Sequence, residues 1–220
     1  AAPMGAGGPG KIPPAYRGGF QEWHAFECNN DHYNTKIWHG DDAHPTCYEE
    51  HQTDVLATQF RDFLTRQSSE QPFFSVLSWT APHSQFQAPQ KYIDQQAQRR
   101  LAIRPNVPEA GNKPLDDAQH LFGMAVEDRL PNLEQETRIY YAMIEHIDDH
   151  VGRLMQTLED GGLADNTYII FFADHGDMMG SQHCYTKNMP YAESPNIPFI
   201  VYRPDVASGQ IHNLPICTED

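Results

Sequence analysis

Nowhere in these 220 residues is there the run of about 20 consecutive apolar side chains that a membrane-spanning helix needs, so such a helix is excluded. The opening "AAPMGAGGPGK" lacks the charged-then-apolar order of a signal peptide. Basic residues are scarce, 15 against 30 acidic ones, for a net charge of −15. A chain that acidic repels nucleic acid, and any anionic substrate needs a local positive centre. Cysteine is sparse too. Cys28, Cys47, Cys184 and Cys217 show no CxxC spacing, which argues against a zinc knuckle and leaves the redox compartment open. No internal repeat is present.

What the sequence does have is a sound apolar fraction, 39%, together with 17 prolines and 15 glycines that imply long shaped loops. That is enough for one good-sized domain. Residues 1–50, rich in glycine, proline, histidine and aromatics, read as irregular structure packed by its own rings. "TDVLATQFRDFLTRQ" then sets Val55, Leu56, Phe60, Phe63 and Leu64 on one helical face, with Thr53 or Asp54 as N-cap. "FFSVLSW" reads as a short buried strand. Residues 84–132, polar and broken by proline, read as an excursion over the surface.

The strongest periodicity lies in "ETRIYYAMIEHIDDHVGRLMQTLED". It places Ile139, Met143, Ile147, Val151, Leu154 and Leu158 at steps of three and four, and Gly161-Gly162 stops the helix. The turn "ADNT" leads to a strand, "YIIFF", and a last strand, "IPFIVY", runs from Ile197 to Tyr202. This order predicts an α/β fold with a central, mostly parallel sheet flanked by helices. Ligands of such sheets sit beyond the carboxyl ends of the strands. That rule selects His83 in "TAPHS", Asp174 and His175 in "ADHG", and Lys187 in the following loop.

Each of these residues alone suits an ordinary polar turn; together they form a pattern. "YYAMIEHIDDHVGRLMQTLEDGGLADNTYIIFFADHGDMMGSQHCYTKNMPYAESPNIPFIVYRP", "FFSVLSWTAPHSQF" and "RGGFQEWHAFECNNDHYN" resemble, in that family's order, blocks of the sulfatases within the alkaline-phosphatase-like superfamily. The resemblance covers most of residues 17–204. It implies hydrolysis of a sulfate monoester, with Asp174 and His175 as metal ligands, Lys187 on the sulfate ester and His83 facing the scissile oxygen. The implied cofactor is a divalent metal, calcium first, with manganese or zinc open because imidazole suits them better. The implied partner is a sulfated small molecule or sulfated polysaccharide, met in the periplasm or outside the cell, with the cytoplasm as the alternative.

Some of the family's pattern is missing. No cysteine stands in the C/S-x-P/A-x-R context that yields the formylglycine nucleophile, and the early aspartate pair is absent. "KIWHG" (36–40) follows the "RGGFQEW" block instead of preceding it, so it is a decoy, and Asn196 stands where the family usually has arginine. The expectation is a catalytic domain truncated at both ends, with 51–204 as its α/β core, 205–220 opening a cut connection and the nucleophile outside. A phosphoester or phosphonate hydrolase of the same superfamily, or a non-catalytic glycan-binding descendant, remains the alternative.

Overall fold

The long helix has the clearest sequence cause. In the computed structural model, which describes residues 11–26, 29–107, 132–213 and 215–217, it spans Leu133–Asp160. Here it is α3, following α1 (Gln52–Leu64) and α2 (Gln90–Ala97). Its buried face carries Ala142, Met143, Ile147 and Leu158, but also His146 and His150. The helix ends as its glycines require. Gly162 takes a left-handed φ of 67°, its N–H donates to Glu159 O, and Leu163 N–H donates to Leu158 O at 2.8 Å. Leu163 then packs on Leu158 and Leu64, the apolar contact that accompanies this type of helix stop.

α1 buries Val55, Leu56 and Leu64, with Phe60 and Phe63 half-buried. Its N-cap is His51, not Thr53 or Asp54: the imidazole accepts the N–H of Thr53. A ring nitrogen serves as cap acceptor, and Asp54 is left free to reach across to α3. α2 lies inside the stretch expected to be a surface excursion. Polar contacts join it to α3: the Tyr92 hydroxyl donates to Asp149 at 2.8 Å, and the Gln96 amide donates to Glu145 at 2.7 Å. Tyr92 and Ile93 also pack on Ala142, Met143 and Ile147, but two apolar positions in an eight-residue helix leave little period to read. The rest of that stretch, 108–131, lies outside the described residues.

The sheets differ from expectation. β1 (His24–Ala25), β2 (Thr35–His39) and β3 (Thr46–Tyr48) form an antiparallel sheet within the region expected to be irregular. β4 (Ile169–Phe172) pairs antiparallel with β5 (Phe199–Tyr202), Ile169 opposite Tyr202. Among the described residues there is no central parallel sheet. Among those residues "FFSVLSW" pairs with no strand, and its burial alternates, with Phe74 79% and Val76 62% exposed. Ile170 and Phe172 are exposed in the same way, and all four residues of β5 are open. Unbroken apolar runs predict cover on both faces; here these segments are covered on one face at most. No described helix is long and apolar enough to cross a membrane.

Candidate active site

β4 ends at Phe172, and the chain then leaves the strand through Ala173 into Asp174, His175 and Gly176. Within a strand, neighbouring side chains point to opposite faces; beyond its end they are free to converge. Asp174 Oδ1 accepts the N–H of His175 at 3.0 Å, and His175 Nδ1 donates to the Gly176 carbonyl at 2.7 Å. That bond fixes the tautomer and leaves the Nε2 lone pair open, 3.4 Å from Asp174 Oδ2. Two donor atoms about 3 Å apart suit one cation bound at about 2.0–2.6 Å from each. The residues fit a divalent metal as two of its ligands.

Gly176 holds the pair in place. Its N–H donates to Ser194 O at 2.7 Å, and a β-carbon on it would meet Glu193 O at 2.1 Å and Asn196 O at 3.0 Å. Only glycine lets the strand exit lie this close to the 191–196 turn.

The loop that follows brings in residues the sequence reading missed. Asp177 accepts the N–H of Met179 at 2.9 Å and is hydrogen-bonded by the Thr186 backbone. Burial pushes its carboxyl above the usual range, while the nearby charges of His175 and Lys187 pull the other way. Asp177 is thus a carboxylate whose ionisation Lys187 favours. Its signal was in "DHGDMMG": a second acid three residues beyond the first. Five non-glycine residues of this loop have positive φ: Met179, Gln182, His183, Thr186 and Asn188. Lys187 sits between the last two. Backbone strain of this kind persists only where surrounding contacts enforce it. Arg104 supplies some of them, donating from Nη1 to Asp177 O, Met178 O and Ser181 Oγ at 3.1–3.4 Å.

His83 lies in a separate loop. Its N–H donates to Thr80 O, its Nδ1 is turned to the Ser84 carbonyl, and its own carbonyl contacts His32 Nε2 at 3.2 Å. Among the described residues no hydrogen bond or ion pair joins His83 or Lys187 to each other, to Asp174 or to His175. Phe86, three residues after His83, packs edge-on to the Tyr140 ring at 5.9 Å. Burial and then the Asp177 charge push the Tyr140 phenol up to about 12.

The Sulfatase family model matches residues 14–217. An arylsulfatase of Clostridium perfringens is 32% identical over 166 residues, 74% of this chain and 34% of that protein. The ulvan-active sulfatase of Formosa agariphila is 28% identical over 214 residues, 94% of this chain and 38% of its own length. A Bacteroides fragilis structure assigned as the sulfatase yidJ superposes with a TM-score of 0.74 at 28% identity, covering 88% of this chain and 40% of that one. The phosphonate monoester hydrolase of Agrobacterium radiobacter superposes at 0.55 and 26% identity, over 70% and 33%. The chain spans 34% and 38% of the length of those two curated relatives, little more than a third.

Proposed function

Because this chain belongs to the sulfatase family, we propose that the full-length protein hydrolyses a sulfate monoester at the end of β4, with residues 1–220 as part of its catalytic domain. The observation that carries this reading is the Asp174–His175 pair, its donor atoms 3.4 Å apart just beyond the strand and backed by Gly176. In this reading the pair holds a divalent cation, calcium by preference, with manganese or zinc as alternatives. When bound, that cation draws electron density from the sulfate oxygens as charge moves to the leaving group.

The remaining roles fall to side chains. The Lys187 ammonium neutralises a sulfate oxygen, which the net charge of −15 would otherwise repel. His83 delivers a proton from Nε2 to the departing oxygen, since its Nδ1 is committed to the Ser84 carbonyl. Asp177 and Arg104 hold the loop that presents Lys187. The nucleophile is a formylglycine, and as none of the four cysteines here has the required context, it belongs to sequence outside these 220 residues.

The substrate is a sulfated polysaccharide or a small sulfate ester, met in the periplasm or outside the cell. The likeness to a phosphonate monoester hydrolase supports a second reading, hydrolysis of a phospho- or phosphonate ester at the same residues. The test is turnover by the full-length protein of matched aryl sulfate, phosphate and phosphonate esters. Preference for the sulfate supports the first reading, and preference for either phosphorus ester supports the second.

A further inference from the structure

Three histidines and an aspartate meet between α1 and α3, among residues the proposed chemistry does not use. His51 and Asp54 come from the start of α1, three residues apart; His146 and His150 lie four apart on α3, and so share its inner face. His146 Nε2 and His150 Nε2 each lie 2.8 Å from the same oxygen, Asp54 Oδ1, and 3.2 Å from one another. Donor atoms of His51, Asp54 and His146 all fall within 4.8 Å. The three histidines are buried, while the Asp54 side chain, 42% exposed, opens the cluster to solvent.

Without an ion, one carboxylate oxygen must accept two N–H groups whose nitrogens nearly touch. A hydrogen-bonded network is the plain reading, but it serves these groups poorly. Four-coordinate zinc, with bonds of about 2.0–2.1 Å, spaces its ligand atoms roughly 3.3 Å apart, so the 3.2 Å between the two Nε2 atoms already fits. The 2.8 Å contacts would open by about half an ångström, and His51 would close in.

His51 Nε2 bonds to the Gln87 carbonyl at 3.1 Å, the kind of outer contact that fixes a ligating histidine's tautomer, and Nδ1, which here accepts the Thr53 N–H at 3.2 Å, would exchange that cap contact for the ion.

We propose that His51, Asp54, His146 and His150 form a second metal site, for a zinc-class ion, separate from the Asp174–His175 pair. Three imidazoles and one carboxylate select such an ion over calcium, which favours oxygen donors. Four protein ligands leave no open position, so the role is structural: the ion ties α1 to α3. It also steadies the loop beneath His83, because His51 stacks on His32 and bonds to Gln87 O, and His32 contacts the carbonyl of His83.

The test uses full-length Asp174→Ala protein, stripped of metal and loaded with one equivalent of Zn2+, so that the pair near β4 cannot supply the signal. X-ray absorption should show at least two imidazoles per zinc, and Co2+ in its place should give the strong visible absorption of a four-coordinate site. His150→Gln added to this background should weaken Zn2+ binding about 100-fold or more, since even outer-contact losses cost 10–100-fold. No stoichiometric zinc, or zinc bound through one imidazole or none, overturns the proposal. Because the readout is metal and not turnover, failure here leaves the sulfatase reading standing.

Discussion

The α-carbon of Gly176 lies so close to the backbone of Glu193 that an added β-carbon would stand 2.1 Å from its carbonyl oxygen. This approach fixes the strand exit carrying Asp174 and His175 against the 191–196 turn, whose Ser194 carbonyl accepts the Gly176 N–H. Gly176→Ala is therefore expected to push the two segments apart. It should destabilise the full-length protein by about 1–3 kcal/mol, as overpacking does, and should lower turnover by more than the lost stability explains. A urea midpoint measured beside kcat separates the two effects.

Lys187→Ala should reduce turnover of a sulfate ester by about 10² or more, the usual cost of removing one group that stabilises developing charge. The neighbouring strained backbone is kept by this change, so the circular dichroism spectrum and melting temperature should hold. Full activity in the variant would remove Lys187 from the sulfate-binding role.

His83→Ala should hurt most with poor leaving groups. An activated aryl sulfate departs with little help from a proton, whereas an alkyl or sugar sulfate needs one. Equal losses across a series of leaving groups would rule out proton donation and leave His83 a structural part of its loop.

Arg104 ties three positions of the 177–181 segment together. Arg104→Ala should speed amide hydrogen exchange across 177–188 and lower kcat, with α3 unaffected. Unchanged exchange in that loop would show that the strained backbone is held by other contacts.

The long helix, the β4 strand and the acid–imidazole pair at its end were all legible in the sequence, because each is local. A 3.6-residue period reports burial of one face whatever lies opposite, and adjacent residues past a strand end are close by construction. Strand partners were not legible. "FFSVLSW" and "IPFIVY" carry no mark of which neighbour they pair with or which face stays open, so a parallel sheet was expected where β4 pairs antiparallel with β5. The His51–Asp54–His146–His150 cluster was missed for a related reason. Its halves are about 90 residues apart, and His146 and His150 fill inward positions between the apolar residues that defined the helix. Arg104 was passed over because its stretch shows no period at all.

The measurement that bears most directly on the central claim is turnover of a sulfate monoester, beside matched phosphate and phosphonate esters, by the full-length protein before and after its metal is removed. The sulfate ester should be cleaved fastest, activity should vanish with the metal, and added Ca2+ should restore it in wild type but not in Asp174→Ala. Faster cleavage of a phosphorus ester, or sulfate turnover that persists in protein shown to be metal-free, would contradict the account.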